Sequence, residues 1–147
     1  MKTFLSLVLV MAICLNCSVK PEPLRYSKDN CSFCKMTLVD DKFGGELVTK
    51  KGKVFKFDDI KCMISFLNSS QEKPDSYSYE LVVDYAHAAD EFDLIPASDA
   101  FYLQSEEVKS PMAGNVAAFK IKTEQQNYQQ KWNGSVMSWN DVKEAFK

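Results

Sequence analysis

The segment Cys31–Met36 reads Cys-Ser-Phe-Cys-Lys-Met and so places two thiols and a thioether in one short stretch of chain. Sulfur ligands are soft, and they favour Cu(I) over hard cations such as Mg²⁺ and Ca²⁺. A cysteine pair separated by two residues can also bind zinc or form a redox-active disulfide. The methionine two positions after the second cysteine favours copper among these choices.

The N-terminus has the pattern of an export signal. A short positively charged start, Met1–Thr3, precedes the apolar run Phe4–Leu15. This run is shorter than the roughly 20 apolar residues that span a bilayer, and it fits the hydrophobic region of a signal peptide. Cys17 closes the run and resembles the acylated cysteine of bacterial lipoproteins. Plain secretion with a free Cys17 is the alternative.

We therefore predict three parts of the chain: a lipoprotein signal peptide over residues 1–16, a lipid-anchored tether over residues 17–29, and one domain over residues 30–147. The tether is polar and carries prolines. The chain has 147 residues and a formal net charge of −2, so no polybasic surface indicates nucleic-acid binding.

Three cysteines lie in the predicted domain, namely Cys31, Cys34 and Cys62. Structural cysteines in an oxidising compartment usually form pairs. An odd number predicts that at least one thiol is buried, bound to a metal or reactive.

The hydrophobic pattern predicts an α+β fold. Glu46–Thr49 and Lys53–Phe57 read as a β-hairpin, and apolar residues at helical spacing over 60–67 follow a capping aspartate, Asp58 or Asp59. The order hairpin, helix, strand appears twice, over residues 46–84 and 100–138, which predicts two ββαβ-like units in one small domain. Further strands are expected over residues 79–84, 92–95, 100–104 and 116–121.

Three local predictions accompany this fold. Thr37–Val39 reads as a strand. Thr123 and Gln126 have the spacing of a capping box for a helix ending near Trp132. Asn140 is the expected cap of a final helix.

Several chemistries stay open for the cysteines. A thioredoxin-like redox site is disfavoured because such a pair follows a strand and opens a helix; a local disulfide is another possibility. Zinc could use Cys31, Cys34, Cys62 and His87, a set typical of a closed structural site. Cys62 lies among the apolar positions of a helix, however, and the spacing to His87 matches no familiar zinc motif.

Two methionines are candidate thioether ligands. In an extended segment Met36 would project to the same side as Cys34. Met112, in the loop Ser110–Gly114, is the best distant candidate for a third soft ligand. Either methionine could instead be an adaptable hydrophobic residue of the core.

Several dispersed motifs together resemble the NosL family, the nitrous-oxide reductase accessory lipoproteins, which are copper chaperones. The motifs are Cys31–Met36, Phe43, Val54–Met63, Asp99–Tyr102 and Ser110–Gly114. They occur in the family's order between Cys31 and Trp139.

The resemblance implies a non-enzymatic protein of two ββαβ-like units, lipid-anchored in the cell envelope at the periplasmic face. It implies delivery of Cu(I) to apo nitrous-oxide reductase, with an ABC-type membrane complex as partner. The family's ligand positions fall on Cys34, Met36 and Met112, and Cys31 matches the first cysteine of the motif. Lys35 stands where the family often has glycine.

Overall fold

The computed structural model describes residues 19–70, 76–88 and 94–147. The predicted signal peptide and the predicted acylation site Cys17 lie outside the described residues, as does Phe92 of the strand predicted over residues 92–95. Within the described ranges, no helix has the length and apolar character needed to cross a membrane.

The first half of the domain forms a four-stranded antiparallel sheet. Its elements are β1 (Gly45–Thr49), β2 (Val54–Phe57), α1 (Ile60–Ser69), β3 (Tyr77–Val83) and β4 (Leu94–Pro96). The strands lie in the order β2-β1-β3-β4. Glu46 of β1 faces Lys56 of β2 and Leu81 of β3.

The second half forms a three-stranded antiparallel sheet. A short 3₁₀ helix (Tyr85–His87) follows β3, and the later elements are β5 (Phe101–Gln104), β6 (Val116–Phe119), α2 (Lys122–Trp132), β7 (Ser135–Met137) and α3 (Trp139–Ala145). The strand order is β6-β5-β7. The described residues thus form two antiparallel sheets and three α-helices, which confirms the α+β class.

Helix α1 begins where the sequence predicted. Asp59 caps it by accepting a hydrogen bond from the Lys61 N–H at 2.8 Å. Its buried residues include Cys62 beside the apolar positions Ile60, Met63 and Ile64. Cys62 therefore lies on the face of α1 that packs into the protein.

Two hydrophobic clusters make up the core. The larger one joins residues of the first sheet and α1, such as Leu47, Phe57 and Met63, to Tyr102 of the second sheet. The smaller one is centred on Phe119 and the half-buried Tyr85. The larger cluster spans both sheets and so packs them together.

The predicted strand at Thr37–Val39 is wrong. Thr37 forms a single bridge with Asn30, and Val39 is exposed. The chain turns back on itself at the cysteine motif, so only a short stretch can pair before it leaves for β1.

Both predicted helix caps in the second half are also wrong. Helix α2 already begins at Lys122, so Thr123 lies inside the helix. Ile121 is at the N-cap and makes no side-chain capping bond, because its side chain has no acceptor. Ser138, and not Asn140, caps α3 through a capping box with Asp141. Because the connections from β6 to α2 and from β7 to α3 are short, each helix begins earlier in the sequence than predicted.

Candidate metal centre

The cysteine motif folds into a tight turn. The Cys31 N–H donates to the Met36 carbonyl at 2.7 Å, and the Lys35 N–H donates to the Cys31 carbonyl at 3.0 Å. Lys35 has a φ of 68°, in the left-handed region that residues with a Cβ adopt at a cost. The segment from Cys34 to Met36 is therefore not extended, contrary to the expectation that placed Met36 beside Cys34.

This turn is attached to the edge strand β2. The Ser32 N–H donates to the Lys56 carbonyl at 2.7 Å, and the Lys56 N–H donates to Ser32 Oγ at 3.1 Å. Because α1 starts soon after β2 ends, the turn lies next to the first turn of α1. This placement brings Cys62 to the motif.

Three free thiols converge at this junction. The sulfur atoms of Cys31, Cys34 and Cys62 all lie within 4.8 Å of one another. Cys31 and Cys62 are buried, whereas Cys34 is partly exposed. The group can therefore hold a metal ion that is enclosed on one side and accessible through Cys34 on the other.

Hydrogen bonds favour a thiolate at Cys31. The Cys62 thiol and the backbone N–H groups of Asp58, Cys34 and Phe33 hold the pKa of Cys31 well below its ordinary value. The same contact with Cys31 raises the pKa of Cys62. Burial raises the pKa of Cys34. A thiolate is the form of cysteine that binds metal, so one ligand is prepared before the ion arrives.

The loop that carries Met112 docks on the N-terminus of α1. The Met112 N–H donates to Asp59 Oδ2 at 3.0 Å, and Lys61 Nζ donates to the Met112 carbonyl at 3.3 Å. A Cβ on Gly114 would lie 2.8 Å from Asp59 Oδ1, so glycine allows this close approach. Met112 itself is partly buried against the larger core cluster. The fold thus holds a distant loop at the end of α1 that carries Cys62.

Met36 differs from Met112 in its surroundings. Met36 is 58% exposed, at the surface end of the motif. Phe33 and Val39 are also exposed there. Met36 is therefore accessible from solvent at the same turn that carries Cys34.

The four-residue zinc set considered from the sequence is not assembled. His87 belongs to a separate group with Asp84 and Glu124. The apolar neighbours of Cys62 in its helix favoured a core position for this residue. In the structure its sulfur lies with those of Cys31 and Cys34. The signal in the sequence is its position one turn after the capping Asp59, where a helix meets the preceding hairpin.

The cysteine pair also lacks the placement of a thioredoxin-like site. The chain leaves Cys34 through the left-handed Lys35 and one isolated bridge at Thr37, and does not enter a helix. The helix N-terminus that lowers the pKa of a redox cysteine is therefore not supplied by this segment.

A known protein family and a solved structure are similar to this chain. The NosL family model matches residues 25–146. The crystal structure of the copper chaperone NosL from Shewanella denitrificans superposes with a TM-score of 0.73 at 20% sequence identity, covering 87% of this chain and 98% of that chain. Among curated proteins, no sequence matches this chain. Because the family model covers most of the sequence, the chain belongs to the NosL family.

Proposed function

We propose that this protein carries Cu(I) as cargo and does not catalyse a reaction. The observation that supports this most directly is the convergence of three free thiols within 4.8 Å. Soft sulfur donors suit Cu(I). In this proposal Cys31, Cys34 and Cys62 supply thiolate ligands.

Met36 and Met112 are proposed thioether ligands that bind Cu(I) in exchange with a thiol, since Cu(I) takes only two to four ligands at a time. A thioether carries no proton, so its binding to Cu(I) does not compete with protonation. Met36 is exposed and Met112 lies on a loop anchored at Asp59. Such weak outer ligands allow a receiving protein to take the ion by ligand exchange, while the buried Cys31 and Cys62 hold it until then.

Membership of the NosL family supports a role in nitrous-oxide reductase maturation. We propose apo nitrous-oxide reductase as the recipient and an ABC-type membrane complex as the assembly partner. Acylation of Cys17 would anchor the chain at the periplasmic face of the cell envelope, with residues 17–29 as the tether. We interpret the two sheets, each with the order strand, strand, helix, strand, as a ββαβ pseudo-repeat.

Anaerobic competition against a Cu(I) chelator tests the ligand set. We expect the double variant Cys34→Ser/Met36→Ala to bind Cu(I) about 100-fold more weakly than wild type, which corresponds to about 2.8 kcal/mol. The matched control Met137→Leu changes a methionine of β7 and should keep wild-type affinity. Unchanged affinity in the double variant would contradict the assignment.

The same three thiols could hold zinc in a structural site, since thiolates also bind that ion. A structural zinc ion would make folding depend on the metal. Elemental analysis after anaerobic purification separates the two functions. We expect copper at the thiols and a chain that stays folded under chelation. One equivalent of thiol-bound zinc together with unfolding under chelation would favour the structural alternative.

A further inference from the structure

A second group of potential ligands lies where the two halves of the domain meet. Asp84 follows β3, His87 ends the 3₁₀ helix, and Glu124 lies in the first turn of α2. One ligand atom from each residue lies within 4.8 Å of the other two. These residues come from separate parts of the chain, so tertiary packing brings them together.

The imidazole lies between the two carboxylates. His87 Nδ1 lies 3.0 Å from Asp84 Oδ2, and His87 Nε2 lies 3.5 Å from Glu124 Oε1. Asp84 Oδ1 accepts hydrogen bonds from the Ala86 and Lys120 N–H groups at 3.3 and 3.4 Å. Backbone N–H groups thus hold Asp84 in place through Oδ1, while its Oδ2 faces the imidazole ring of His87.

Burial makes this arrangement electrostatically demanding. The Asp84 side chain is only 1% exposed. Glu124 Oε2 is buried and has no hydrogen-bond partner among the described residues. Two carboxylates this close to one another attract a cation, and a polar atom buried without a partner is costly. A cation bound between them would contact both carboxylates and the imidazole.

We propose that Asp84, His87 and Glu124 form a second metal site, which takes a divalent cation of the zinc class through one imidazole nitrogen and two carboxylates. One nitrogen and two oxygen donors suit Zn²⁺ and are poor ligands for the soft Cu(I) ion. His87 is 49% exposed on its side chain, which gives the ion a path from solvent and leaves a position for water. The bound ion would also use the orphaned oxygen of Glu124.

This site is separate from the thiol group and does not depend on the proposed copper function. It would tie the end of β3 in the first sheet to α2 in the second half of the domain. The chain would then hold two classes of metal by two different donor sets, sulfur in one place and nitrogen with oxygen in the other.

Zinc titration of the full-length Cys31→Ser/Cys34→Ser/Cys62→Ser variant tests the site without the thiols. We expect one equivalent of Zn²⁺ to bind by calorimetry, with affinity reduced about 10- to 100-fold or more by a further His87→Gln or Glu124→Gln change. The control Glu107→Gln alters an exposed glutamate and should leave binding unchanged. Circular dichroism confirms that each variant is folded.

Co²⁺ added to the wild-type chain gives an independent measurement if the triple variant fails to fold. We expect the ion at the second site to show weak visible absorption without a sulfur-to-cobalt charge-transfer band, and His87→Gln to remove that component. Two results would overturn the proposal. One is a folded triple variant that binds no zinc; the other is zinc binding that survives His87→Gln and Glu124→Gln.

Discussion

At the scale of single residues, the conformation of the cysteine turn restricts which residues fit at position 35. The turn needs a left-handed residue directly after Cys34, and Lys35 adopts a φ of 68° there. Lys35 Nζ donates to the Ser32 carbonyl at 2.6 Å, and this hydrogen bond offsets part of the cost of the left-handed backbone. Glycine would adopt this left-handed backbone without the penalty that a Cβ brings.

Replacing Lys35 with glycine should therefore stabilise the protein. We expect Lys35→Gly to raise the free energy of unfolding by about 0.5–1 kcal/mol, because relief of the left-handed strain exceeds the lost exposed hydrogen bond and the larger backbone entropy of glycine in the unfolded chain. Urea denaturation measures the change. Lys51→Gly, at an exposed turn position without positive φ, should be neutral or destabilising, and a stabilisation equal to that of Lys35→Gly would argue against the backbone explanation.

Glu46 makes stability depend on pH. It is fully buried in β1, its Oε2 has no partner among the described residues, and burial raises its pKa from an ordinary 4.5 to about 7. The folded protein then keeps a proton that the unfolded chain releases, so stability is fully present below about pH 4.5 and falls as the pH rises to about 7.

Glu46→Gln should remove this dependence. We expect the variant to be more stable than wild type by about 3 kcal/mol at pH 8 and nearly equal to it at pH 4, since the pKa is raised from 4.5 to about 7 and one pKa unit corresponds to about 1.4 kcal/mol. Urea denaturation at both pH values measures the difference, with the exposed Glu107→Gln as control. A variant less stable than wild type at pH 8 would mean that the charged carboxylate is favourable where it lies.

At the scale of elements, the N-terminus of α1 has two roles. The Asp59 carboxylate caps the helix through the Lys61 N–H, and it also accepts the Met112 N–H of the distant loop. The helix that presents Cys62 and the loop that carries Met112 are therefore held by one side chain. A change at Asp59 should affect both stability and the metal centre.

Asp59→Ala tests this coupling. We expect a loss of about 1–2 kcal/mol in unfolding free energy from the missing cap, together with weaker Cu(I) binding in a chelator competition. Ser138→Ala removes the cap of α3 and should cost similar stability without changing copper affinity. Equal copper affinity in both variants would show that the Met112 loop does not contribute to the site.

At the scale of the whole molecule, the two sheets share one core. Tyr102 of β5 is buried in the larger cluster, its hydroxyl donates to the Ala97 carbonyl at 2.6 Å, and its own carbonyl accepts from Gln125 Nε2 at 2.7 Å. Its ring stacks on Trp139 of α3. These contacts connect the second sheet to its helices and to the segment that follows β4.

Tyr102→Phe should weaken this connection without emptying the core. We expect a loss of about 1–3 kcal/mol, because the Ala97 carbonyl is left buried without its donor. Calorimetry and denaturant titration should show one cooperative transition in both proteins. Tyr79→Phe, at a partly exposed tyrosine, is the control, and two separate transitions in the wild type would show that the sheets unfold independently.

Much of the element order could be read from local patterns. The hairpin before Phe57, the helix capped by Asp59 and the strand of β6 depend on spacing and capping within a few residues, and the structure agrees. The predicted caps at Thr123 and Asn140 were wrong, because a capping motif indicates a favourable helix start but does not fix the boundary of the helix. The length of the preceding connection decided where each helix began.

The sequence by itself determined the soft donors in the turn Cys31–Met36 and the α+β class, since both follow from residue type and short-range periodicity. Only the tertiary structure decided which distant groups meet. Packing α1 against β2 brings Cys62 to Cys31 and Cys34, and docking of the 3₁₀ helix beside α2 places His87 elsewhere. The physical reason is that apolar spacing reports burial but not the neighbours of a buried group, which depend on how whole elements pack.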